Sequence, residues 1–221
     1  MEDKLMLAFL GGTGPEGKGL ALRLALAGES IVLGSRDGER ASTAATELTD
    51  MAKGQTSIDG TDNLNAAKQA DVIFLTVPYD AQRALLEQLK HIIDGKIIIN
   101  VIAPMVFQRG VGASAVEVPA GSAAQESQEL LPSSVIVSAF QNVSAEELLD
   151  QSVNVEGDVI ICSDNEEAKA RAFDLTNKIP SLRPIDGGGL ANSKYVEQIT
   201  PLLVNINRIY KIHSGIHVVG I

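Results

Sequence analysis

The stretch LMLAFLGGTGPEGKG, residues 5–19, sets the fold. Its opening run, LMLAFL, is apolar without alternation, the pattern of a strand covered on both faces and not of a half-exposed hairpin. The glycine-rich segment that follows contains G-x-G-x-x-G as Gly12-Thr13-Gly14-Pro15-Glu16-Gly17. By itself that spacing is a weak signal. Here it follows a strand directly and opens a helix, which is the context a dinucleotide-binding turn requires. One glycine permits the tight turn, the next lets a pyrophosphate approach the backbone, and the third allows the helix to pack closely on the strand. The free N–H groups and the positive end of the helix then face an anion. Pro15 suits the first helical turn, where its missing N–H does no harm. Thr13 offers its hydroxyl to a phosphate or as a helix cap.

Outward from this turn, apolar runs of strand length alternate with stretches of helical period. SIVLGS (30–35), DVIFLTV (71–77), KIIINVI (96–102), SVIVSAF (134–140), GDVIICS (157–163) and LRPID (182–186) read as strands. Lys18–Ala27, Gly38–Met51, Tyr79–His91, Ala123–Leu131 and Asn165–Lys178 read as helices. The expectation is α/β: a Rossmann-type, doubly wound, mostly parallel sheet over residues 1–186, with a small C-terminal helical element over 187–221. Pro104–Ser122 breaks the rhythm with five glycines and prolines and reads as a long surface loop beside the site. Asn192–Ile212 is helical in period, and Pro201 inside it predicts a kink or two helices meeting.

Composition narrows the function. With 45% hydrophobic residues in 221, the chain can bury one substantial core. It has no long apolar run and no leader-like start, so neither a membrane span nor a secretory signal is expected, and a cytoplasmic location is. A net charge of −10 and 4% aromatic residues argue against nucleic acid as a partner. The lone Cys162 ends an apolar run and reads as a buried strand residue. His213 and His217 stand four apart, a metal-binding spacing if helical, but Gly215 between them makes a frayed tail the better reading and no metal is expected.

The second strand decides which dinucleotide. An NAD site places a carboxylate at its end, some 20 residues past the turn, for the adenosine ribose. Here the strand ends in Gly34-Ser35-Arg36, with Arg40 one helical turn on. Guanidinium and hydroxyl groups suit a 2′-phosphate, so NADP(H) is the expected cofactor. Asp37 is the competing feature, as a displaced ribose ligand. The ends of the next strands, Thr76, Val77 and Pro78, then Asn100, Ile102 and Ala103, lie where the cofactor should pass. Val77 and Ile102 are equally well read as ordinary strand ends.

The segments LGGTGPEGKGLALRLA, LGSR with Arg40, DVIFLTVPYD and LRPIDGGGLANSKYVEQITPLLVNINR resemble the NADPH-dependent reductases of the deazaflavin coenzyme F420. The likeness runs from the first strand almost to Arg208. It implies a homodimer in which nicotinamide and F420 meet in a cleft between the Rossmann domain and the C-terminal element. It implies that Thr13, Ser35, Arg36 and Arg40 hold the phosphates, and that Gln141, Asn142, Val143, Ser144 and Ala145 with Thr200, Pro201 and Leu202 line the meeting place of the two rings. Hydride passes directly between the two cofactors, so no catalytic acid–base residue is expected; proximity and a dry pocket supply the rate. Where the family has a histidine-threonine-isoleucine-proline-alanine segment, this chain reads Gln141-Asn142-Val143-Ser144-Ala145. That departure keeps open an acceptor other than F420, such as a flavin or a ferric chelate, and a non-catalytic NADP(H)-binding protein. The tail after Tyr210 also fits the family poorly.

Overall fold

A computed structural model describes residues 5–221. β1 (Met6–Leu10) runs into the glycine turn and α1 (Pro15–Leu26) leaves it. There follow β2 (Ser30–Ser35), α2 (Gly38–Met51), β3 (Ile58–Asp62), α3 (Asn63–Gln69), β4 (Val72–Leu75), α4 (Tyr79–Ile93) and β5 (Ile97–Asn100). A hairpin, β6 (Met105–Gln108) and β7 (Gly112–Ala115), precedes α5 (Ala123–Leu130), β8 (Val135–Ser138) and α6 (Ala145–Leu149). The chain closes with β9 (Gly157–Ile161), α7 (Glu166–Asn177), β10 (Leu182–Asp186), a 3-10 turn at Leu190–Asn192 and α8 (Ser193–Tyr210).

Six parallel strands form the main sheet in the order β3-β2-β1-β4-β5-β8. The chain winds outward one way through β2 and β3 and the other way through β4, β5 and β8. The crevice where the direction reverses, between β1 and β4, is where such sheets bind ligands, and the glycine turn sits there. β9 and β10 form a parallel pair, linked to β8 by an antiparallel bridge between Ser138 and Cys162.

The unbroken apolar runs follow from burial on both faces. Leu7, Phe9, Leu33, Phe74, Ile99 and Val137 share one core with α1, α2 and α7. Ala8, Leu10, Val32, Ile73, Ile98 and Ile136 share the other with α3, α4 and α5. Cys162 is fully buried, and burial pushes its thiol up to about 11, consistent with an inert packing residue.

Two elements were not expected, and three expectations need correction. β3 and α3 occupy residues 58–69, where IDGTDNLNAAKQ shows little period: β3 is an edge strand paired only with β2, and α3 buries small alanines. The expected loop of residues 104–122 contains the hairpin, clamped to α8 where Asn205 accepts from Ala113 N at 2.9 Å and donates to Ala113 O at 2.7 Å. α8 runs through Pro201 as one helix and not as two helices meeting there; that face is buried, and Glu197 anchors it by accepting from Ala123 N (2.7 Å) and Ala124 N (3.0 Å) at the start of α5. The tail is not frayed. It packs on β9 and β10, with Asp158 N donating to Ile216 O at 2.8 Å and the Arg183 guanidinium bridging Asp158 to Val218 O at 2.7 Å.

Beneath the glycine turn there is no spare volume. A Cβ on Gly17 would lie 2.7 Å from Gly12 Cα and 2.8 Å from Thr76 Oγ1. Gly17→Ala should therefore cost about 1–3 kcal/mol, the scale of core overpacking, read as a lower urea midpoint.

Candidate functional site

The carboxyl ends of β1, β2, β4, β5 and β8 open into a cleft of about 1300 Å³ that reaches α8 and the tail. Its floor is the turn foreseen from sequence, with the duties of the glycines redistributed. Gly11, outside the motif, adopts the left-handed conformation at φ +76° and packs on Val77. Gly12 and Gly17 lie below the surface against each other and do not line the cleft. Gly14 does, and a Cβ there would meet no protein atom closer than 3.8 Å, so the backbone on that side is open to a ligand. Thr13 and Pro15 line the same wall.

Asn63 was not legible as a site residue. It is buried at the first turn of α3, lines the cleft, and accepts from Gly11 N at 3.2 Å, which holds the turn in shape. The one sequence signal was the helix-starting pair Asp62-Asn63.

At the end of β2, Ser35 is buried and its Oγ accepts from Asp37 N at 3.2 Å. Arg36 and Arg40 are exposed on the cleft and form no ion pair among the described residues. Asp37 does not line the cleft: Oδ1 caps α2 by accepting from Glu39 N (3.0 Å) and Arg40 N (3.3 Å). Asp37 is thus engaged as a helix cap, and two guanidiniums stand on the cleft at the end of β2. Thr76, Val77 and Pro78, then Ile102 and Ala103, line the middle of the cleft, and the Thr76 hydroxyl is committed to Leu10 O at 3.0 Å.

The far wall begins at Phe140, which is fully buried yet left-handed at φ +72°, a strained turn of the kind found where a segment must face a ligand. It presents Gln141, Asn142, Val143, Ser144 and Ala145 to the cleft. Ser144 Oγ caps α6, accepting from Glu147 N at 3.4 Å, and lies 3.2 Å from His213 Nδ1 of the tail. His213 therefore faces Ser144 and Glu146, while His217 faces Asp158; the two do not act as a pair. From α8, Thr200 lines the cleft and donates to Gln141 O at 3.0 Å. Pro201 is buried behind it. Leu202 points outward, 55% exposed, and the apolar lining comes instead from Leu203 and Val204, a consequence of helical phase across an unbroken Pro201.

The two walls are mechanically joined. Gly19 of α1 admits α6 so closely that a Cβ would meet Leu148 Cβ at 2.5 Å. Arg23 of α1 donates to the carbonyls of Glu147, Leu148, Asp150 and Val153 at 2.6–3.1 Å, closing the end of α6.

Glu16 lines the cleft although its Oε1 is buried without a partner, and burial pushes its carboxyl up to about 8. Burial thus favours its neutral form next to the glycine turn. The unfolded-state value is about 4.5. Between pH 4.5 and 8 the unfolded chain binds fewer protons at this site than the folded one, so stability falls as pH rises through that window and levels off above it. Glu16→Gln should remove this contribution: the stability difference between wild type and variant, from urea unfolding at pH 5 and pH 8, should shift towards the variant at pH 8. A constant difference would show that Glu16 is ionised in the folded protein.

The topology and turn define a Rossmann-type dinucleotide-binding protein. The chain resembles solved structures of that kind throughout: it superposes on a protein of Arthrobacter sp. FB24 with a TM-score of 0.83 at 18% identity, covering 98% of this chain and 100% of that one. A sequence family described as NADP oxidoreductase, coenzyme F420-dependent, matches residues 6–104. F420-dependent NADP reductases of Methanothermobacter marburgensis (43% identity, 92% of each chain) and Methanocaldococcus jannaschii (40% identity, 94% of each chain) match along nearly the whole length. The chain belongs to the F420-dependent NADP reductase family.

Proposed function

We propose that this chain is an oxidoreductase that transfers a hydride between the nicotinamide C4 of NADP(H) and the C5 of the deazaflavin F420, with both rings held in one cleft. The observation that carries this reading is the continuity of that cleft. It runs from the open turn at Gly14, past Arg36 and Arg40, to a second wall made by Gln141–Ala145 and the inner face of α8. One end has the charge and backbone donors for a phosphorylated dinucleotide, and the other has the length and apolar lining for a second planar ring.

The bound pair supplies the redox electronics itself. The residues present bind, orient and exclude water. Thr13, Gly14, Pro15 and Glu16 take the pyrophosphate side, Gly12 and Gly17 set the turn from beneath, and Ser35, Arg36 and Arg40 take the 2′-phosphate. Thr76 to Pro78, Ile102, Ala103 and Ala145 position the nicotinamide. Gln141 to Ser144 with Thr200, Leu203 and Val204 enclose the acceptor, giving the second element, residues 187–221, its part in the site. The enzyme works in the cytoplasm as a homodimer. A second copy would cover the exposed apolar residues Val106, Phe107 and Val111 of the hairpin and Leu202, Ile209 and Tyr210 of α8.

Purified protein mixed with NADPH and F420 should bleach the visible absorbance of the deazaflavin; no bleaching at micromolar enzyme would reject the reading. Arg36→Ala should weaken NADPH binding roughly 10–100-fold and leave NADH nearly unchanged. Equal losses for both would place Arg36 on the shared adenosine moiety.

A further inference from the structure

Gln141 follows the left-handed Phe140 directly and lines the cleft while only 5% exposed. Its amide nitrogen is fully committed. Nε2 donates to Asn100 O at 2.8 Å and to Ser138 Oγ at 2.9 Å. A reversed amide would set its oxygen against the Asn100 carbonyl, two acceptors with no proton between them, so the orientation is fixed by chemistry. Its oxygen, Oε1, is left buried with no hydrogen-bond partner.

This orientation is supported from deep in the core. Asn100 Nδ2 donates to Gln82 Oε1 (3.0 Å) and Ser127 Oγ (2.9 Å), and Asn100 Oδ1 accepts from Ile102 N (2.9 Å). Gln82 Nε2 in turn donates to Glu126 Oε2 at 2.9 Å, and the other oxygen of Glu126 pairs with Arg83. Gln82, Asn100 and Ser127 are fully buried. On the other side Thr200 Oγ1 holds the Gln141 carbonyl. A satisfied network thus runs from a surface ion pair to the cleft and ends in one unpaired carbonyl oxygen. Buried acceptors in native proteins are nearly always paired, so an unpaired one on a residue lining the cleft requires a reason. The neighbouring Asn142 has its Nδ2 turned away to Asp158 O at 2.7 Å, and its Oδ1 is likewise buried without a partner, but it stands outside this network.

We propose that Gln141 Oε1 is a specificity-determining acceptor for an amide N–H on a ring of the bound cofactor pair. This rests on the proposed hydride transfer and deepens it. Two groups in that pair carry such a donor: the carboxamide of the nicotinamide and the lactam N–H of the deazaflavin pyrimidinedione. Gln82 and Asn100 are positioning residues, which keep the amide from turning and so keep the site from accepting a ligand that offers an acceptor at that place.

The test compares each natural cofactor with a version lacking the N–H. The 3-acetylpyridine analogue of NADPH replaces the carboxamide by a methyl ketone, and F420 methylated at the lactam nitrogen removes the other donor. Rates of F420 bleaching are measured for all pairings with wild type, Gln141→Met and Gln141→His. One analogue should raise KM or lower kcat/KM about tenfold in wild type, as expected for an acceptor left unpaired, and which analogue does so identifies the donor. Gln141→Met should erase that discrimination. Gln141→His should keep it, because a neutral imidazole supplies one N–H for Asn100 O and one bare nitrogen for the ligand. Because discrimination is a ratio within one protein, general loosening of the fold does not imitate it, and should Gln141→Met fail to fold, the wild-type ratios decide. Transfer intact in wild type with both analogues used as well as their parents, or discrimination retained in Gln141→Met, overturns this inference alone. No transfer between NADPH and F420 by wild type overturns the proposed function and this inference with it.

Discussion

The close approach of α1 to the sheet beneath the glycine turn is the constraint on which the rest of the site depends. Gly12 and Gly17 meet where a side chain on either would collide with backbone, with Phe9 or with Thr76. That contact aims the start of α1 and its free N–H groups at the crevice between β1 and β4. The same helix reaches α6 through Gly19 and caps its end through Arg23. The wall that would hold the dinucleotide phosphates and the wall that would hold the acceptor are thus parts of one packed unit. For a hydride transfer, where orientation and distance supply most of the rate, rigidity between the two walls is what the fold has to provide.

Charge is arranged locally against the balance of the whole chain. The protein carries a net charge of −10, yet the end of β2 offers two guanidiniums with no carboxylate partner among the described residues, and Asp37 is turned into a helix cap. Burial pushes Glu16, the one carboxyl on the glycine turn, toward its neutral form. Negative charge near the turn is lowered as positive charge is added at the end of β2. On the far wall Gln141, Asn142, Ser144 and Thr200 contribute neutral amides and hydroxyls, and Glu146, Lys211 and His213 line the cleft as well.

Strands and helices that bury large side chains on both faces of the sheet were legible directly. β2, α2 and β10 fall at the boundaries expected from their apolar runs, and α1, α4, α5 and α7 lie within three residues of theirs. What escaped detection has a common cause. β3 lies at a sheet edge and α3 packs through alanines, so neither needs a strong period. The hairpin hides among glycines because its stability comes from Asn205 on a helix some 90 residues later. At Pro201 the helix continues instead of splitting in two, because burial and the Glu197 anchor outweigh the local rule against proline in helices.

For the candidate site, sequence alone marked the glycine turn, the basic end of β2 and the segment from Gln141 to Ala145, since each is a short contiguous motif whose chemistry resides in its own residues. Only the tertiary structure decided what those motifs share. It showed that Gly11 and not Gly12 takes the left-handed turn, that Asn63 holds it, and that Leu203 and Val204 replace Leu202 on the cleft. It also carried His213 to Ser144 and left Gln141 with one unpaired oxygen. These are relations between residues far apart in the chain, set by helical phase and by which hydrogen bonds remain once the core is packed. No local pattern encodes them.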